Sequence, residues 1–206
     1  MRHEWIIDEV EKIFGELDAH LQTTAGQSGL KCPDFCGVCC RKSDLEASPL
    51  EFMPLAAWLY KTGKVDEFLA KLDHPTHPWC ACFDPDAVAR GEWGCQYYEH
   101  RGLICRLFGF GFRLNREGLP VLVTCKIMKC TQSAAVAKAG EMAASSPEEM
   151  PVFSNYFMRL MTLDPELAVP QMPINQAIRT AIEKLYFHFL DKEDPQEEDQ
   201  REKAKG

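Results

Sequence analysis

The sequence packs four cysteines into the nine residues from 32 to 40, within the stretch KCPDFCGVCC. A single cysteine usually behaves as a small buried hydrophobe, but that role does not account for such a density of thiols. We expect these thiols to coordinate a metal or to carry redox chemistry. Cys39 and Cys40 are neighbours whose side chains tend to diverge, so they either serve two metals or divide into one ligand and one supporting thiol.

Composition and charge set the class of protein. The chain has 206 residues with 46% hydrophobic content, which suffices for one domain with a full core. No run approaches the roughly 20 apolar residues that a membrane span needs, and the opening residues mix acids into their apolar pattern. We therefore predict a cytoplasmic protein with no membrane contact. The formal net charge of -8 argues against a nucleic-acid partner.

The remaining cysteines favour a metal site as well. Disulfides seldom persist in a reducing compartment, so ten cysteines in a cytoplasmic chain are better explained by coordination. They fall into two further groups, which are Cys80, Cys82 and Cys95, and then Cys105, Cys125 and Cys130. The short spacings occur in both zinc sites and iron–sulfur sites, and spacing alone does not choose the metal.

Hydrophobic periodicity predicts a mainly helical chain. Residues 4–21 repeat apolar positions at helical spacing, and a second helix follows Ser48, with Glu51 completing a capping box and Gly63 as the stop. Further helical stretches cover residues 134–143, 152–163 and 174–190. The fold class predicted is α+β, mainly helical, with a small β-hairpin packed on amphipathic helices. A single domain is expected over 1–190, with a cysteine-rich metal module at about 31–130, a helical remainder at 131–190 and a disordered charged tail at 191–206.

The stretch CRLFGFGFRLNREGLPVLVTC predicts the hairpin, with two strands around a turn at 115–118. Antiparallel pairing about that turn sets Cys105, on the first strand, opposite residues 126–129. Since those residues lie between Cys125 and Cys130, the pairing predicts that three thiols converge.

Two motifs carry a resemblance to a known family. The stretches CPDFCGVCC and CQYYEHRGLICR resemble, in order, the YkgJ-type cysteine-cluster family, whose zinc- or iron-chelating domain is named for its CxxCxxCC motif. The first gap here is one residue longer than in the family, which leaves open which of the first four thiols share a metal. Gly102 stands where the family usually has proline, which predicts a more pliable turn before Cys105.

The resemblance implies about eight metal-binding cysteines. It favours Cys80 over Cys82, because Phe83 and Asp84 then fall at the family's positions for an apolar residue and an aspartate. The implied ligands are Cys32, Cys36, Cys39, Cys40, Cys80, Cys95, Cys105 and Cys125. The same cluster also resembles that of the flagellin lysine N-methylases, which is the one enzymatic lead.

Basic residues within the motifs suit a metal site. Four thiolates on zinc or on a [4Fe–4S] core leave a net charge of about -2, which nearby cations can offset. Arg101 and Arg106 are therefore predicted to support the cofactor.

Two functions follow from these observations. The first is a metal-binding protein that holds zinc or an iron–sulfur cluster ([4Fe–4S]) and has a binding or electron-carrying role. The alternative is a cluster-containing enzyme that modifies a partner protein. The sequence has no phosphate loop or dinucleotide motif and assigns no catalytic residue.

Overall fold

The computed structural model describes residues 2–193 and is mainly helical, as predicted. The helices are α1 Arg2–Ser28, α2 Met53–Lys61, α3 Val65–Asp73, α4 Pro85–Ala89, α5 Leu103–Leu107, α6 Lys126–Thr131, α7 Ser133–Ser145, α8 Phe153–Leu163, α9 Pro165–Ala168 and α10 Ile174–Glu193. The strands are β1 Glu46–Ala47, β2 Phe112–Leu114, β3 Pro120–Leu122 and β4 Met172–Pro173. Of the helices within residues 2–193, none has both the length and the apolar character to cross a membrane.

The helical scaffold follows the predicted periodicity. Most apolar positions of α1, among them Val10 and Leu17, are buried and form one core with α2, α8 and α10, whereas Trp5 is 52% exposed. A capping box of Ser48 and Glu51 precedes α2 as predicted, although its first turn is a 3-10 helix over Pro49–Phe52. The last helix runs to Glu193, past the predicted start of the tail at 191. The rest of that tail lies outside the described residues.

The hairpin is confirmed, but the predicted position of Cys105 is wrong. Strands β2 and β3 pair antiparallel with Phe112 opposite Leu122. Cys105 lies in α5 instead of on a strand, and residues 126–131 form α6. The chain leaves α5 through Gly109, whose φ is +102°, and Gly111 packs so closely on α5 that a β-carbon there would lie 2.4 Å from the Leu107 side chain. Because of this turn, β2 does not extend back to Cys105. Strand pairing therefore does not bring Cys105, Cys125 and Cys130 together.

Candidate metal centre

Eight of the ten cysteines line one cavity of about 90 Å³. They are Cys32, Cys36, Cys39, Cys40, Cys80, Cys82, Cys95 and Cys105. The cavity is several times larger than the roughly 10–15 Å³ that one water needs. Every predicted ligand except Cys125 is therefore in the wall. Cys82, which the resemblance does not favour as a ligand, is in the wall as well.

Backbone hydrogen bonds join the loops that carry these thiols. The amide of Cys80 donates to the carbonyl of Cys40 at 3.2 Å, and the amide of Gln96 donates to Cys82 at 2.9 Å. The ring of Phe83 fits against Gly37, where a β-carbon would lie 2.4 Å from the ring. Three segments distant in sequence are thus held together without a regular sheet.

Two amide side chains hold the peptides next to the first and the fifth cysteine. Gln132 bonds both backbone groups of Lys31, accepting from its amide at 2.9 Å and donating to its carbonyl. Asn175 of α10 accepts from the amide of Ala81 at 2.8 Å and donates to the carbonyl of Trp79 at 2.9 Å, which fixes the residues on both sides of Cys80. Neither contact has a local signal in the sequence, because each joins segments more than 90 residues apart.

Cys105 is positioned by a buried carboxylate. Glu51, which is 2% exposed, accepts hydrogen bonds from the amides of Ser48 and Ile104, so that it caps both the turn before α2 and the start of α5. Gly102 sits against it, and a β-carbon there would lie 3.0 Å from Glu51 Oε2 and 2.9 Å from Phe52. The φ of Gly102 is -68°, which other residues adopt readily. This glycine therefore serves close packing, and the predicted pliable turn is not what the structure needs.

The thiols interact in hydrogen-bonded pairs. A hydrogen bond between the Cys39 and Cys40 thiols lowers the pKa of Cys39 to about 6 and raises that of Cys40. A hydrogen bond between the Cys80 and Cys82 thiols lowers the pKa of Cys80 in the same way. Burial raises the pKa of Cys95 to about 11. A metal ion has to displace the protons of such thiols, so its binding to this site would be pH-dependent.

The charged groups in the cavity wall are basic. They are Lys42 and Arg101, and the wall contains no carboxylate of the described chain. The guanidinium of Arg101 lies 3.5 Å from the ring centre of Tyr98, and its charge lowers the pKa of Cys39, as a smaller effect than the bond from Cys40. This electrostatic environment suits a group that carries negative charge.

Arg106, which is predicted to support the cofactor, does not line the cavity. Its side chain is 5% exposed and pairs with Asp18 of α1. Further guanidinium donors reach the carbonyls of Glu99 and Arg101, and the group lies 4.6 Å from the Phe14 ring centre. Arg106 thus ties the cysteine motif to α1 through oxygen atoms.

The last two cysteines stand apart from the cavity. Cys125 begins α6, where its sulfur accepts from the amide of Met128 at 3.4 Å. It is near enough to Cys32 to raise the pKa of that thiol, as a smaller effect than burial. Cys130 is exposed.

The cavity brings thiols together without placing them around one point. Across residues 2–193, no three or more His, Cys, Asp or Glu side chains have an arrangement that could hold a metal ion. The donor type nevertheless fits zinc and iron–sulfur clusters, both of which take cysteine thiolates. No protein-family model, curated protein or solved structure matches the chain.

Proposed function

We propose that this chain is a metal-binding protein that holds zinc or an iron–sulfur cluster through eight cysteines, seven of which line the cavity. The observation that carries the proposal is the meeting of eight thiols, from well-separated parts of the chain, in one basic-lined cavity. Ordinary packing favours isolated buried cysteines and gives no reason for such a gathering.

The donor set and its charge support this function. The ligands we propose are the eight cysteines that the resemblance implies. Cys125 lies outside the cavity wall, but it is near enough to Cys32 to raise the pKa of that thiol. Zinc would tie the loops together, whereas a cluster would supply electron transfer. Arg101 and Lys42 would offset the negative charge of the thiolates.

The resemblance of CPDFCGVCC and CQYYEHRGLICR to the YkgJ-type family supports this proposal, and we propose a cytoplasmic setting with it. All ten cysteines are free thiols, which suits a reducing compartment. The role proposed is binding or electron carriage, in which the metal is needed for folding between residues 31 and 130. Apart from the buried stretch 47–59, which belongs to the main core, that region has short helices and many turns, so a metal can add stability there.

Purification without oxygen, followed by elemental analysis and a visible spectrum, tests the proposal. Broad absorbance near about 400 nm with iron and sulfide identifies a cluster, and a colourless protein with zinc identifies a zinc site. Prolonged chelation should lower the melting temperature and the near-ultraviolet dichroism. A chelated, metal-free protein with unchanged melting and dichroism would show that metal has no structural role here.

A further inference from the structure

A second cavity lies directly behind the cysteine cavity. Its volume is about 570 Å³, within the range of roughly 300–1,000 Å³ that small-molecule sites occupy. The walls come from α3, from the loop between α3 and α4, and from Asn175 of α10. The sequence has no pattern that indicates this cavity, because its residues come from separate segments without a shared motif.

One short segment forms the partition between the two cavities. Along residues 79–83 the side chains alternate, so that Cys80 and Cys82 line the cysteine cavity while Trp79, Ala81 and Phe83 line the second one. Tyr97 lines both cavities. A molecule in the second cavity would therefore rest on residues whose immediate neighbours are thiols.

The charges in this second cavity are divided between two walls. The α3 wall holds Lys64 and the ion pair of Lys71 with Glu67, whose N–O distance is 2.9 Å, so Lys64 is the surplus cation. The wall at the start of α4 holds Asp84 and Asp86. Asp84 caps α4, and Arg90, 3.9 Å from it, pairs more closely with Glu92 at 2.9 Å, so this wall is negatively charged and Asp86 is its carboxylate outside the helix cap.

Aromatic rings also line this cavity. Trp58 and Tyr97 are in edge contact with ring centres 5.6 Å apart, and His77 stacks on Trp79 at 4.6 Å. Lys64 Nζ already lies 4.8 Å from the Trp58 ring centre, so this surface accepts an ammonium group. Rings of this kind also cover the carbon skeleton of a small ligand.

We propose that the second cavity binds a small zwitterion, with its ammonium group toward Asp86 and the rings and its carboxylate toward Lys64. A ligand with only one charge pairs with only one of the two charged walls. This site uses none of the metal-binding thiols, but it rests on the proposed function, because the metal is proposed to be needed for folding between residues 31 and 130.

Three probes of equal carbon-chain length test the proposal, namely ε-aminocaproate as zwitterion, n-hexylamine as cation and caproate as anion. Each is titrated into the full chain at fixed ionic strength, with calorimetry and tryptophan fluorescence as readouts. We expect ε-aminocaproate to bind at least about tenfold more tightly than either single-charge probe. In Lys64→Gln, ε-aminocaproate should bind no more tightly than n-hexylamine. In Asp86→Asn, it should bind no more tightly than caproate.

Matched controls come from the same region. Lys61→Gln and Asp66→Asn alter exposed residues outside the cavity and should leave all three affinities unchanged. The proposal is overturned if no probe saturates by about 50 mM, if a single-charge probe binds as well as the zwitterion, or if the cavity variants behave like the controls. Metal per chain is measured on the same samples. A metal-loaded protein that fails to bind the zwitterion counts against this cavity alone, whereas a protein without metal counts against the metal site.

Discussion

The ring of Phe83 lies against Gly94 so closely that a β-carbon on Gly94 would stand 2.4 Å from Phe83 Cε2. Phe83 is buried, and Val88 lies 2.7 Å from the same position, so an added methyl group would meet two side chains. Since Gly94 precedes Cys95, this contact sets where that thiol enters the cavity.

Gly94→Ala should therefore destabilise the protein by about 1–3 kcal/mol, because the added methyl group forces the ring or the loop to shift. Gly140→Ala is the matched control. Gly140 lies in α7 with no heavy atom near the position of a β-carbon, so the same change should stabilise by up to about 1 kcal/mol. Urea unfolding of both variants measures the difference, and a Gly94→Ala midpoint at or above that of the wild type would disprove the tight contact.

Arg106→Ala should destabilise the protein by about 2–3 kcal/mol, since it leaves Asp18 and two carbonyl groups without their donor. Arg159→Ala removes a comparable arginine–carboxylate pair, with Glu16, whose side chains are 42% and 48% exposed. That exposed pair is worth less than about 1 kcal/mol. Equal losses of unfolding free energy in the two variants would refute the anchoring role of Arg106.

Stability should also depend on the titration of Glu51. Burial raises the pKa of this carboxyl above its ordinary value of 4.5, while bonds from Ser48, Ile104 and Leu103 oppose the rise. The folded protein therefore holds this proton more tightly than the unfolded chain does. The stability that Glu51 contributes is full below pH 4.5 and is lost as the pH rises through the folded-state pKa.

Glu51→Gln removes this titration, so its unfolding free energy should fall less than that of the wild type as the pH rises from about 4.5 to 7. Glu67→Gln is the control, because Glu67 is exposed and its bond to Lys71 lowers its pKa, which gives a small dependence of opposite sign. Denaturation series across this pH range provide the comparison. Parallel curves for Glu51→Gln and the wild type would rule out the Glu51 contribution.

Local patterns predicted local structure well. The Ser48 and Glu51 capping box and the hairpin turn at 115–118 are present because each depends on residues a few positions apart. The second role of Glu51, at Ile104, joins residues 53 apart and has no such pattern. The sequence predicts a strand at Cys105 because aromatic residues follow it. Gly109 and Gly111 instead turn the chain between Cys105 and β2.

The sequence predicted most of the thiols in the cavity wall but not how the fold brings them together. Cysteine spacing pointed to the thiols that line the cavity. It did not separate Cys82 from Cys80, because both face the same side of the partition. The side chain of Asn175 reaches the Cys80 segment from the last helix, and only the folded chain brings the two together.

Cys80 and Cys82 give a prediction about ligand choice. Cys80→Ala should deplete metal, whereas Cys82→Ala should keep it and lose only a packing contribution on the order of 1 kcal/mol. Both thiols are buried to the same degree, which makes each variant the control of the other. Depletion in Cys82→Ala with full metal in Cys80→Ala would reverse the assignment.

Metal per chain in protein purified without oxygen, compared with the Cys95→Ala and Cys130→Ala variants, tests the central claim most directly. Cys95 lines the cavity, while Cys130 is exposed and outside it. We predict zinc or iron bound to the wild type, the same content in Cys130→Ala and a clear loss in Cys95→Ala. A wild-type protein that retains neither metal, or equal metal content in both variants, would contradict a metal centre at this cavity.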